Sequence, residues 1–491
     1  MIDSLSAPVT ALAAAIRRRE VSPLELVTEH IRRIEAVNPA VNALVRDRFE
    51  RALDEARAAE ERVTREAPGD LPPLLGVPCT IKEFLAVEGL HHTAGLLSRR
   101  DVVASSDATV VQRMKRAGAI ILGVTNVPEG GMWMETHNKL YGRTKNPWRL
   151  SRTPGGSSGG EAALIAAGAS PIGIGSDIAG SVRIPAAFCG IVAHKPTGRM
   201  VPNTGHWGPD ASGTAPFLTS GPMGRSIADL SLVLDVIAGP DGIDALTVPW
   251  DLPAWNQADL SDVVVYPLET NGVMPVRESM RAQVRRAADV LERRGARRAT
   301  LDAPLLQQAF AIWATAMSDG AGSQSFAELL GDGPPMRLGA ELARTLVGRS
   351  RLTLPALALA LLEKASALLP PRLAANVPKP AALQAELEHA IGPNGVILHP
   401  PYTRTAPRHG AALLTPFHFL CTGVFNLVEF PVTQVPTGFD DIGLPLGVQV
   451  AGRRGNDRLT LMVAAVLEEE LGGVIFAPPP QSRSWPWSRR R

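Results

Sequence analysis

The sequence predicts an α/β fold: a central sheet with helices on both faces and a helical insertion late in the chain. Three observations predict it. From residue 74 onward, short apolar runs alternate with amphipathic helical stretches. Between about Pro275 and Ala390 the pattern turns helical. Strand-like runs then return before a closing helix. No internal repeat or low-complexity linker divides the chain. A single domain, 1–491, is therefore expected, with core segments at about 70–240 and 395–475 and the insertion at about 300–390.

The elements follow in order. Ser22 to Val37 carries a capping Ser, Pro23 in the first turn and apolar residues at helical spacing, so it reads as an amphipathic helix. Phe49 to Arg65, rich in Ala, Glu and Arg, reads as another. Leu74 to Gly89 (LLGVPCTIKEFLAVEG) mixes apolar runs with Gly and Pro, as a buried strand followed by a loop does. ATVVQRMKRAGAIILGVTNV predicts a helix and then a strand over Ala119 to Val124, and GEAALIAAGASPIGIGSD repeats the alternation. After the helical stretch, NGVILHPP, FPVTQVP and LPLGVQVAG (from Leu444) read as core strands, and Asp457 to Leu471 as the last helix.

Composition bounds the function. With 45% hydrophobic and 20% charged residues, the chain has the make-up of an ordinary globular protein. A net charge of +2 gives no pull toward nucleic acid, and the basic run from Ser488 to Arg491 reads as a solvated tail. Cys79, Cys189 and Cys421 are odd in number and far apart, which fits neither a disulfide framework nor a zinc site and suits a reducing compartment. At the N-terminus the charges follow the apolar run, against the order of a secretory signal. No run reaches the roughly 18 apolar residues of a spanning helix.

Two features carry chemistry. Lysine is scarce: only Lys82, Lys115, Lys139, Lys145, Lys195, Lys364 and Lys379 stand among many arginines. Arg stays protonated in proteins, whereas Lys loses its proton when desolvated. Lys82 ends an apolar strand, where burial can hold an amine neutral, or where it can simply pair with Glu83. The second feature is the stretch TPGGSSGGEAALIAAGASPIGIGSDIAGSVRIPA, Thr153 to Ala186, which sets Ser157, Ser158, Ser176 and Ser181 among glycines. Three readings stay open for it: a phosphate cradle at a helix N-terminus, a structural loop, or an acyl-transfer site with a serine nucleophile. No GxxxxGK[ST] and no GxSxG is present, and His91, His92, His137, His194 and His206 lie in no familiar triad setting. Small residues before Ser181 let successive backbone N–H groups converge on one oxygen. Arg183 reads as an ion-pair partner before it reads as a carboxylate ligand.

GGSSGG at 155–160, DIAGSVRIPAAFCGI at 177–191 and LLGVPCTIKE upstream resemble the amidase signature family in sequence and in spacing, and HKPTGR, GPMGRSIADL and GLPLGVQVAG extend the likeness over nearly the whole chain. The resemblance implies a mixed, twisted sheet and a Ser–Ser–Lys triad. In it Ser181 is the nucleophile, Ser157 the bridging serine on a cis peptide, and Lys82 the base. It implies an oxyanion hole from the N–H groups of Ile178, Ala179, Gly180 and Ser181. No cofactor or metal is implied, and a homodimer is. Two positions depart from the family pattern: Ala179 replaces the usual Gly, and Glu83 stands where many members have Asp.

TNVPE, GRTKNPW and AFCGI resemble the fatty acid amide hydrolase branch, as does Leu352 to Ala375, which matches that branch's helical cap. These imply a small-molecule, lipophilic amide substrate and a cytoplasmic enzyme with weak peripheral membrane contact through 352–375. As a helix this segment also reads as plain core, and few basic residues flank it. Met132 and Trp133 suit either an acyl pocket or the core. Two alternatives remain: a small-amide or aryl-acylamide hydrolase, and a glutamine amidotransferase subunit.

Overall fold

A computed structural model describes residues 3–208, 215–252, 260–320, 325–366 and 377–478. The C-terminal run from Ser488 and residues 367–375 of the cap-like segment lie outside these. Among the described residues thirteen strands form: β1 (Leu44–Asp47), β2 (Pro78–Lys82), β3 (Ile120–Thr125), β4 (His137–Asn138), β5 (Gly142–Arg143), β6 (Ile172–Asp177), β7 (Val192–Lys195), β8 (Thr219–Gly224), β9 (Val264–Pro267), β10 (Arg297–Arg298), β11 (Gly395–His399), β12 (Val432–Phe439) and β13 (Pro445–Gly452). β4 and β5 pair alone; the other eleven make one sheet, in the order β1-β3-β2-β6-β8-β7-β12-β13-β11-β9-β10. β2 runs parallel to both β3 and β6, while β6, β8, β7, β12, β13 and β11 alternate antiparallel. The sheet is mixed, as expected.

Helices form where caps and periodicity place them. Pro23–Val41 opens with a full capping box: Ser22 accepts from the backbone of Glu25, whose side chain returns to the Ser22 N–H. Phe49–Arg65 and Asp457–Leu471 have the expected bounds. The strand expected at Ala119–Val124 is shifted by one residue, to Ile120–Thr125.

Strand β6 explains how the sheet receives its site-bearing helix. Its sequence IGIGSD alternates by the strand period of two. Ile172 and Ile174 join the large core that also buries Ile227, Leu234, Leu461 and Leu467 from the helices Ile227–Ile237 and Asp457–Leu471. The glycines face the opposite layer. A Cβ at Gly173 would lie 2.0 Å from Glu161 Oε2, and one at Gly175 would lie 2.8 Å from Ser158 Oγ. Only glycine lets the helix Gly159–Ala166, with Ser157 and Ser158 just before it, approach this closely.

The helical stretch late in the chain contains helices Ala309–Gly320, Phe326–Gly331, Leu338–Leu346, Leu354–Ser366 and Pro380–Ile391. It packs in two places. Ala309, Ile312, Leu383 and Leu387 bury against Val424, Phe425 and Phe430. Leu330, Leu338, Leu352 and Leu357 bury against Phe84, Leu96 and Val127, beside the ends of β2 and β3. The backbone and hydroxyl of Thr353 donate to Glu129 Oε2 at 2.7 and 2.8 Å and tie the two layers.

The turn after β6 is held by a fully buried pair. Arg183 donates from Nε and Nη2 to Asp177, each at 3.0 Å, and also to Thr422 O, Gln449 Oε1 and Asn426 Oδ1. Five acceptors saturate the guanidinium, so Arg183 is an ion-pair partner and not an open carboxylate ligand. Arg183→Met leaves Asp177 charged and unpaired in the interior, so we expect a loss of about 3–5 kcal/mol in stability. A denaturant melt measures it; a midpoint equal to that of the unsubstituted protein contradicts this account of the turn.

Candidate active site

Lys82 is the last residue of β2 and is fully buried. Its Nζ lies 2.7 Å from Ser157 Oγ, 3.0 Å from Ser176 Oγ and 3.1 Å from the Ser176 carbonyl oxygen. The register of β2 on β6 (Ile81 opposite Ile174) brings Ser176 to it. Loss of water drives the ammonium pKa down to about 7, against the pull of Asp177 and Glu161 toward the charged form. Glu83 is not its partner: that carboxylate turns away and accepts from the backbone N–H groups of Thr93 and Ala94 and from the Thr93 hydroxyl. The Phe84 ring covers the amine at 4.8 Å.

The Gly156–Ser157 peptide is cis. The Ser158 N–H donates to the Ser181 carbonyl oxygen at 3.1 Å, which ties the two serine loops together. Ser181 itself is half-buried, as are Ile178 and Ala179, so this turn is reachable while Lys82 is not. Gly180 must be glycine: its φ is +119° and a Cβ would sit 2.0 Å from Thr422 Oγ1. The Ala179 carbonyl accepts from Thr422 Oγ1 at 2.8 Å, and its methyl lies toward Gly423 on the helix Leu420–Leu427.

The expected donor quartet is altered. Gly180 N–H donates to Asp177 Oδ1 at 2.6 Å, so it is committed to the protein. Among the described residues, no acceptor takes the N–H of Ile178, Ala179 or Ser181. Three open donors remain where four were expected. Burial alone would raise the Asp177 carboxyl, but Arg183 overrides it and holds the group well below the usual carboxylate range, ionised and able to accept from the turn.

Ser158 exchanges long contacts of 3.4 Å with the backbone of Ser176. Among the described residues, Ser176 supplies two of the three oxygens around Lys82 Nζ. Met132 and Trp133 line a cavity of about 250 Å³ with Thr353, Leu354 and Leu413. Glu129, Glu135, His137, Lys139 and Arg143 lie on the same wall, so it is more polar than a pure acyl pocket. A second cavity of about 590 Å³ lies between Leu96–Arg100 and the helices Phe326–Gly331 and Leu338–Leu346. Neither has Lys82, Ser157 or Ser181 on its wall.

Residues 25–461 match the Amidase family. The chain is 41% identical to fatty-acid amide hydrolase 2-A of Danio rerio, over 94% of this chain and 88% of that one. It is 39% identical to fatty-acid amide hydrolase 2 of Homo sapiens, over 94% and 89%. Among solved structures, 6-aminohexanoate cyclic dimer hydrolase complexed with substrate superposes with a TM-score of 0.78 at 28% identity, covering 98% of this chain and 99% of that one. The chain therefore belongs to the amidase signature family and is a hydrolase of amide bonds.

Proposed function

We propose that this enzyme hydrolyses lipophilic, fatty acyl-type amides through an acyl-enzyme on Ser181. The observation that carries the chemistry is the buried Lys82 amine, near pKa 7 and 2.7 Å from Ser157 Oγ. Neutral Lys82 accepts the Ser157 hydroxyl proton as Ser157 accepts that of Ser181. Ser181 Oγ bonds to the amide carbon, and the carbonyl oxygen takes up the charge against the N–H groups of Ile178, Ala179 and Ser181. The ammonium then returns a proton through Ser157 to the leaving nitrogen, which departs as an amine. Water releases the acid and restores Ser181.

Support for a lipophilic substrate comes from the two relatives named for fatty-acid amides and from the insertion. Its helix Leu354–Ser366 buries Ala356, Leu357 and Ala360, while Leu354 and Leu362 stay exposed, as do Leu346 and Val347 nearby. Peripheral membrane contact through this face, a homodimer, and a single domain carrying 300–390 as an insertion are parts of the same proposal. Among the described residues no helix is long and apolar enough to cross a membrane. The charged wall of the Met132–Trp133 cavity favours a second reading, a short or polar amide.

Ser181→Ala should lower kcat by about 10⁴-fold or more with the fold intact. A fluorophosphonate probe should label the unsubstituted enzyme and not this variant; equal labelling contradicts the assignment. kcat/KM should fall as pH drops through about 7, because a protonated Lys82 cannot accept. Lys82→Arg keeps the charge but never deprotonates, so it should be inactive at every pH; a Lys82→Arg enzyme with an ordinary pH profile contradicts the base role. A panel of long-chain acyl amide, short amide, anilide and glutamine tests the substrate, and turnover of glutamine alone would remove the lipid reading.

A further inference from the structure

We propose that His206 is a positioning residue that fixes, through Ser176, the direction of every hydrogen bond around Lys82, leaving the amine lone pair to face Ser157. This rests on the proposed role of Lys82 as base.

His206 lies beyond β7, in the segment that bridges to Leu85, and so reaches the end of β2. Its Nδ1 contacts the Trp207 carbonyl oxygen. A carbonyl oxygen only accepts, so Nδ1 carries the hydrogen and Nε2 presents a lone pair. The ring is neutral: desolvation, and the charge of Lys82 beside it, hold its pKa down to about 3. Nε2 lies 2.8 Å from Ser176 Oγ. The Ser176 hydroxyl therefore donates to His206, and toward Lys82 its oxygen can only accept.

The consequence is a count of hydrogens. A neutral amine has two N–H bonds and one lone pair. Its three oxygen neighbours are Ser176 Oγ, the Ser176 carbonyl and Ser157 Oγ. The carbonyl is an acceptor, and His206 makes Ser176 Oγ one too. Both hydrogens are thus committed to Ser176, and the lone pair is left for the Ser157 hydroxyl at 2.7 Å. Without His206 the Ser176 hydroxyl is free to rotate and donate to the same lone pair, in competition with Ser157. The charged or titratable groups facing this network are Asp177 and Glu161 for Lys82, and His92 and Lys82 for His206. None of them offers Ser176 Oγ another acceptor among its hydrogen bonds.

The test is steady-state kinetics across pH on His206→Leu, His206→Gln, Ser176→Ala and the Ser176→Ala/His206→Leu pair, with melting temperature as the fold control. His206→Leu should lower kcat about tenfold with KM within about twofold, the scale of one misdirected hydrogen bond. The acid limb of kcat/KM should move to lower pH, because a hydroxyl donating to the lone pair stabilises the neutral amine. His206→Gln, whose amide oxygen accepts from Ser176, should recover most of kcat. In the Ser176→Ala background the His206→Leu change should add nothing. Should His206→Leu not fold, His206→Asn, whose amide stops short of Ser176, replaces it with the same expected losses. An unchanged kcat and pH limb, or an additive double variant, overturns the proposal. Lys82→Ala separates the two ideas: if it stays active, the base assignment itself fails; if it is inactive while His206→Leu is unchanged, only the role of His206 falls.

Discussion

The site depends on one amine held out of water at the end of a strand. An ammonium in a sheet interior is costly unless it is paired, and among the described residues no carboxylate bonds to Lys82. The neighbours are neutral oxygens, enough to orient an amine and too weak to keep it fully charged. Glu83 would be the obvious partner in sequence, yet it lies in the turn just past β2, and its carboxylate is spent on Thr93 and Ala94. The adjacent carboxylate and amine thus face different partners.

Asp177 balances this arrangement. It is close enough to favour the charged form of Lys82, while Arg183 is bonded to it directly. The same carboxylate fixes the turn that carries Ser181 by accepting from Gly180 and Val182. That fixation occupies one backbone donor and leaves three open. In the proposed mechanism those three are the donors left for the oxyanion.

Much of this was legible in the sequence where a local signal exists. The capping box at Ser22, the periodicity of Phe49–Arg65 and the closing helix Asp457–Leu471 are short-range patterns, and they fold as written. Lys82 stood out through the scarcity of lysine and its place at a strand end. Strands β7, β8 and β9 were not legible, because their apolar runs are short and their partners are distant in the chain. The place of Ser176 was not legible for a related reason: its contact with Lys82 comes from pairing of β2 with β6, across 94 positions. His206 had only its residue type to recommend it, and the bridge to Leu85 that delivers it is purely tertiary. The commitment of Gly180 to Asp177 follows from turn geometry that a glycine-rich string does not spell out.

The most direct test is the protonation state of Lys82 itself. With lysine labelled with ¹⁵N at Nζ and ¹³C at Cε, and Lys82→Arg used to assign the signal, an NMR titration of the substrate-free enzyme reports its midpoint without reference to turnover. Titration near 7 is expected, well below the ordinary lysine value and in the range of the other buried lysine, Lys195, from which the Lys82→Arg spectrum distinguishes it. A midpoint at the ordinary lysine value would mean that the amine is charged at neutral pH and cannot be the base.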